Sequence, residues 1–237
     1  TQPTRGKVKL VLKYDGTDFH GWQRQPGQRT IQGTLEEALE RILGQRPYIY
    51  GAGRTDAGVH ALAQVAHFRT DEGPAMPEFK EALRHILPED LGVVSMTRVS
   101  ERFHARYHAA GKIYRYAIHN NPFPDPFRAR FEALVRAPLH LESMKRAAAV
   151  LIGFHDFAAF RSAKASSKTT ERHLDRITFA RKGNRISVEF QAPVALQSAG
   201  AEAAVEFAAP VALRSAGAEA SVEFQAPVAL AWAGVEL

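Results

Sequence analysis

One carboxylate, Asp56, sits in a run rich in glycine: Gly51-Ala52-Gly53-Arg54-Thr55-Asp56-Ala57-Gly58-Val59-His60-Ala61. Glycines let a backbone turn sharply, and Arg54, two residues away, is the sequence neighbour placed to hold an aspartate ionised and oriented. A carboxylate held this way is a nucleophile able to form, and later release, a covalent adduct. The same pattern suits an aspartate that merely caps a turn, and spacing alone leaves both roles open. Dinucleotide binding fails, because Asp56 occupies the third glycine position of Gly-x-Gly-x-x-Gly, where its charge would repel a pyrophosphate.

Other groups offer less chemistry. His104 and His108, four apart, suit one helix face as metal ligands, but no glutamate follows His104 and no cysteine completes a site. Asp15 and Asp18 fall in a turn after an alternating segment, and nothing beside them demands a metal. The Gly-x-Ser-x-Gly elbow of serine hydrolases does not occur. Tyr114 and Tyr116 flank Arg115 and share one face of a strand, where aromatics either stack on nucleic-acid bases or fill a core.

The 237 residues include no cysteine, which excludes disulfides, thiolate zinc sites and a cysteine nucleophile. Hydrophobic residues make up 45%, enough for one large core or two smaller ones. No run approaches the roughly 18 apolar residues of a membrane span, and the first residues lack the apolar stretch of a signal peptide. A soluble, cytoplasmic protein is expected. The net charge of +6 is uneven: residues 1–186 carry 30 Lys and Arg against 19 Asp and Glu, whereas residues 187–237 carry only Arg214 against six Glu. The basic part suits a polyanion such as nucleic acid, or simply water.

The elements that must position Asp56 can be read from periodicity. Val8, Leu10, Leu12 and Tyr14 recur every second residue, predicting a strand with one buried face. Thr34 followed by Glu37 makes a capping-box pattern ahead of Leu35, Ala38, Leu39, Ile42 and Leu43, a helix face that ends at Gly44. Short strands are predicted over 47–50 and 62–69, then a helix with Phe79, Ala82, Leu83, Ile86 and Leu87 stopping at Pro88, then a strand over 92–99. Strand, helix, strand, strand, helix, strand is the order of a split, ferredoxin-like unit on an antiparallel sheet. A second unit begins with a strand over 112–118, followed by a proline-bearing loop over 120–127 and a helix over 140–152 with Leu141, Met144, Ala148 and Leu151 close to one face. Strands over 176–180 and 185–190 follow, and residues 161–172, rich in Ser, Thr, Lys and Arg, read as a mobile basic loop. Two similar halves of α+β class are the simplest architecture.

From Val188 onward the chain repeats itself as VEFQAPVALQSAGAEAA, VEFAAPVALRSAGAEAS and VEFQAPVALAWAGVEL, with Val188, Val205 and Val222 spaced by 17. Each copy holds one proline and one glycine, so short strands such as Val-Glu-Phe and Val-Ala-Leu are expected rather than a helix longer than about two turns.

Several stretches together resemble the tRNA pseudouridine synthase A family, over roughly residues 8–190. Tyr14-Asp15-Gly16-Thr17, Gly21-Trp22-Gln23-Arg24-Gln25 and Thr30-Ile31-Gln32 are similar to its opening motif, and 53–61 to its catalytic motif. Phe103-His104-Ala105-Arg106, Lys112-Ile113-Tyr114-Arg115-Tyr116, and Gly153-Phe154-His155-Asp156-Phe157 before Phe160 resemble later signatures, in matching order. The resemblance implies an α+β fold of two ferredoxin-like (split βαβ) subdomains sharing an antiparallel sheet, with the active-site cleft between them. They would span 1–108, with the catalytic loop, and 109–237, of which 188–237 is the anomalous repeat. It further implies a cytoplasmic, homodimeric isomerase that converts uridine to pseudouridine in the anticodon stem-loop of tRNA, positions 38–40, with no cofactor and no metal. Asp56 would attack the target uridine, whose base is detached, turned and rejoined to the sugar through carbon, once the nucleotide has been swung out of its stem at a cost of about a few kcal/mol. Tyr114 would stack on that base or help move its C5 proton, and Arg54 and Arg106 would bind substrate. After Phe190 the family continues with a helical motif whose arginine pairs with the catalytic carboxylate; here the repeats follow, with Arg214 their only basic residue. A non-catalytic RNA-binding protein is the alternative which that departure keeps open.

Overall fold

Alternation in β1 (Gly6–Tyr14) buries Val8, Leu10, Leu12 and Tyr14 on one face, as the period of two demands. The structure, a computed structural model, describes residues 3–160, 169–193 and 229–232, the last as backbone. The chain divides into two compact units, Thr1–Ala110 with Leu230–Leu237 and Gly111–Ala229. Both mix antiparallel strands with a small number of helices. Among the described residues no helix is long and apolar enough to cross a membrane.

In the first unit β1 is followed by α1 (Ile31–Leu43), β2 (Tyr50–Gly51), β3 (His60–Thr70), α2 (Met76–Ile86) and β4 (Leu91–Val99). The strand order is β4-β1-β3-β2, and every neighbouring pair is antiparallel. Leu10 stands opposite Ala66 on β3 and Met96 on β4. The strands pack on Leu35 and Leu39 of α1 and Phe79 and Leu83 of α2, all buried, each side chain contributing about 1.5–3 kcal/mol by leaving water. In β4 the buried set is Leu91, Val93 and Met96, a broken period. A bulge opposite Val11 and Leu12 absorbs the extra residue and swings Val94 outward, where it is exposed.

Helix α1 starts earlier than its capping-box pattern suggests. Thr30 is the N-cap, its Oγ1 accepting from Gly33 N–H at 3.2 Å, so Thr34 lies inside the helix. Two threonines four apart offer competing caps, and the buried Ile31 decides for the first, because a start at Thr34 would free that side chain from the core. Gly44 ends the helix at φ +71°, a conformation glycine adopts without strain. Strand β11 (Ala229–Trp232) runs parallel to β3, with Leu230 opposite His60.

The second unit is built around β5 (Gly111–Asn120), antiparallel to β10 (Arg185–Pro193), which is antiparallel to β9 (Arg176–Lys182). β6 (Ala133–Val135) pairs in parallel with β5. α3 (Leu141–Ala149) buries Met144 and Ala148, and β7 (Gly153–Asp156) with β8 (Glu171–Leu174) forms a separate two-stranded ladder. Ile118, Leu174, Ile186, Val188 and Phe190 form its core. Arg185 ties the proline-bearing loop to β10, donating to Asp125 at 2.7 Å and to Glu132 at 3.0 Å. Among its described residues this unit holds α3, a 3-10 turn over Ala158–Phe160 and the parallel pair β5–β6. Of the repeats, Val188-Glu189-Phe190 lies in β10 and Ala229-Leu230 in β11. The copies between them, Arg214 included, and residues 161–168 of the basic loop lie outside the described residues.

Candidate active site

The glycine-rich loop hangs between β2 and β3. Tyr50 pairs with His67 and Gly51 with Ala66; Ala52 N–H then donates to the Val65 carbonyl at 2.8 Å, and Gln64 Nε2 to the Gly53 carbonyl at 2.5 Å. Beyond that point the chain leaves the sheet, and Val59 N–H donates back to the Asp56 carbonyl at 3.2 Å, closing a tight turn with Gly58 at φ +76°.

A second segment grips this turn from the side. Trp22 N–H donates to the Thr55 carbonyl at 2.9 Å, Gly58 N–H donates to the Phe19 carbonyl at 3.1 Å, and the Tyr14 hydroxyl bonds Thr55 Oγ1 at 2.9 Å. The approach is close enough to need glycine: at Gly21, φ +80°, a Cβ would sit 2.7 Å from the Thr55 carbonyl oxygen. Thr55 is buried, while its neighbours Arg54 and Asp56 are both exposed. The loop therefore presents an accessible carboxylate from a backbone fixed on both sides, which suits a group that must meet a substrate atom.

Arg54 does not pair with that carboxylate. Among the described residues no ion pair joins Arg54 to Asp56. Both side chains project into water, where such a pair is worth at most about 1 kcal/mol. Asp15 Oδ1 is engaged locally, accepting from Thr17 N–H at 3.0 Å and Thr17 Oγ1 at 2.5 Å, and it faces buried His60 Nδ1 at 3.0 Å. The same Nδ1 lies 3.1 Å from Gly16 N–H, so it either donates to Asp15 or accepts from Gly16, according to its tautomer.

The gripping segment is pinned in turn. Arg29 makes two 2.7 Å bonds to Asp90 and lies 3.9 Å over the Phe19 ring; the bond to Asp90 raises its pKa. Gln32 and Glu36, both buried on α1, connect three segments. Gln32 Oε1 accepts from Arg24 N–H at 3.0 Å, and its Nε2 donates to Glu36 at 3.0 Å and to the Ile49 carbonyl at 3.2 Å; Glu36 Oε1 accepts from Ile49 N–H at 3.3 Å. Glu36 Oε2 has no hydrogen bond, only the guanidinium groups of Arg24 at 3.5 Å and Arg46 at 3.9 Å. This network fixes the entry to β2, and hence to the loop.

Arg106 lies half-buried in the turn before β5, its N–H donating to His104 Nδ1 at 3.2 Å. His104 and His108 close that turn on each other: His108 N–H donates to the His104 carbonyl, and His104 N–H to His108 Nδ1, both at 3.0 Å. Burial, before all else, lowers the His104 pKa, and it carries that of His67 down to about 4, with the charges of His104 and Lys7 adding to the effect. Tyr114 belongs to the second unit, on β5 opposite Phe190 and partly buried against that core; Tyr116 meets Phe190 edge-on at 5.6 Å. Spacing did not single out Thr55, Gln32, Glu36 or His67; Gly21-Trp22 beside a polar, buried-looking helix start was the available signal.

Residues 10–108 match a family model described as tRNA pseudouridine synthase. That match defines the class. Over 182 residues, 77% of this chain and 75% of the relative, the sequence is 43% identical to tRNA pseudouridine synthase A of Acetivibrio thermocellus. Proteins of the same name from Syntrophotalea carbinolica (43% over 167 residues; 70% of this chain, 66% of the relative) and Bacillus sp. strain KSM-64 (43% over 171 residues; 72% and 70%) are similar. The chain belongs to the tRNA pseudouridine synthase A family.

Proposed function

We propose that this chain isomerises uridine to pseudouridine in the anticodon stem-loop of tRNA, with Asp56 as nucleophile. The observation that carries the reading is the exposed Asp56 carboxylate, on a loop gripped through Thr55 and Gly58, in a chain 43% identical to a named tRNA pseudouridine synthase A. Asp56 bonds to C1′ of the target nucleoside as the C1′–N1 bond breaks, the uracil turns, and C5 bonds C1′ as the Asp56–C1′ bond breaks; the C5 proton is then lost to water and N1 takes one up, which leaves Asp56 a free carboxylate again. Nothing is oxidised or reduced, so the residues present suffice without a cofactor. Arg54 and Arg106 bind the RNA backbone and Tyr114 stacks on the displaced base; the exposure of Arg54 suits a phosphate contact better than a bond to Asp56.

The finer architecture belongs to the same proposal: two ferredoxin-like subdomains, sharing an antiparallel sheet with the active-site cleft between them, in a cytoplasmic homodimer. The strand order β4-β1-β3-β2 of the first unit supports the subdomain assignment, and family membership supports the rest. The test uses an unmodified tRNA transcript carrying tritium at uridine C5. Release of tritium to water, undiminished by excess chelator, is the expected result. A chain that binds the transcript without releasing tritium is the non-catalytic RNA-binding protein instead.

A further inference from the structure

Alternation along β3 puts Ala66 and Phe68 in the core beneath the helices, and Val65 and His67 on the opposite face. There the turn leading to β5 lies across the sheet: Lys7 Nζ donates to the Phe103 carbonyl at 2.9 Å, and Ala105 N–H donates to His67 Nδ1 at 3.2 Å. Along this seam rings touch in series. Tyr48 meets Tyr50 edge-on at 4.6 Å, Tyr50 stacks on His67 at 5.0 Å and meets His104 at 5.4 Å, and His104 lies 4.2 Å from Tyr107. Their outer members are open to water, Tyr48 51%, Tyr50 46% and Tyr107 61% exposed.

Single exposed aromatics are ordinary, but a connected row of them marks a surface that binds something. The cations Lys7 and Arg106 are close enough to the row to act on the charge of His104. Aromatic faces beside cations suit a partner with flat rings and negative charge, which is the chemistry of unpaired RNA bases on their phosphate backbone. Tyr50 of the row lies on β2, the strand that feeds the Asp56 loop, so an RNA engaged at that loop has further nucleotides to place.

We infer that Tyr48, Tyr50, His104 and Tyr107 form a stacking ledge for unpaired bases of the RNA substrate other than the target uridine. The inference rests on the proposed function and adds a second contact to it. Because bases stack on aromatic faces whatever their sequence, the ledge contributes affinity and orientation rather than base choice.

The test measures affinity for the unmodified tRNA transcript and for a fully paired RNA duplex, with tritium release followed in parallel. Tyr48→Ala with Tyr107→Ala is expected to weaken tRNA binding by roughly 5- to 100-fold, the loss that removing stacked aromatics gives. The same change should leave duplex binding within about twofold and the salt dependence of tRNA binding unaltered, since no charge is removed. Tyr48→Phe with Tyr107→Phe keeps the rings and is expected to keep affinity. Unchanged tRNA affinity in the alanine variant, or an equal loss on duplex, overturns the ledge. So does a shift of the alanine variant from dimer to monomer in sedimentation at unchanged affinity, which would make the row a contact between copies of the chain. If the unaltered chain neither binds nor converts tRNA, the proposed function falls and the ledge with it; if it does both and the alanine variant is unaffected, the ledge alone falls.

Discussion

Gly21 shows what single atoms decide in this protein. With φ at +80° and the Thr55 carbonyl 2.7 Å from where a Cβ would stand, it has no room for any side chain. Gly21→Ala is expected to cost about 1–3 kcal/mol in stability, read as a lower urea midpoint, and to shift the Asp56 turn. Its effect on tritium release should therefore fall on kcat more than on KM. His67 supplies a pH dependence. Its folded pKa of about 4 lies below the ordinary 6.5, so between these values the unfolded chain binds the proton more readily. The stability it contributes is full above about pH 6.5 and is lost as the pH falls through 4. Urea midpoints should drop more steeply across that window in the unaltered chain than in His67→Gln. At this scale the sequence singles out Asp56 as a candidate, because glycines around a carboxylate are a local signal, and the structure leaves that residue exposed. The sequence did not disclose that Arg54 turns to solvent, since two residues' separation says nothing about which way side chains point once Thr55 is anchored.

Between the elements, the connection that matters runs through α1. Gln32 and Glu36 hold Arg24 and Ile49 by their backbone groups, so the helix sets where β2 begins and where the Asp56 loop departs. Gln32→Leu leaves the buried Ile49 carbonyl without the Gln32 donor, a loss of about 1–3 kcal/mol, while the part-buried Arg24 N–H can turn to water; denaturation should show a loss in that range, with the aliphatic helix face intact. Periodicity found the long elements, β1, α1, α2, β3, β4, β5 and β10, because each buries a continuous face. It missed β6, β7 and β8, three or four residues each, whose pairing is fixed by distant partners rather than by their own pattern. The start of α1 was displaced because Thr30 and Thr34 carry equivalent caps, and only burial of Ile31 chooses.

Across the whole molecule, charge and function agree. The excess of base before residue 187 predicts that tRNA affinity falls with salt, by at least about tenfold between 50 and 200 mM, for a surface that neutralises several phosphates. A slope near zero would mean the basic residues serve solvation alone. The second unit begins at Gly111, where β5 opens a core of its own. Of the 17-residue repeats, the first copy opens inside β10, where Val188 and Phe190 alternate into the core of the second unit. The central claim, that Asp56 is the nucleophile of a tRNA pseudouridine synthase, is tested most directly by Asp56→Asn, which keeps the size and shape of the side chain and removes its charge. Tritium release from uridine C5 in the tRNA transcript should fall by at least about 1,000-fold, while tRNA affinity stays within about threefold. Release that persists within tenfold of the unaltered chain would contradict the account.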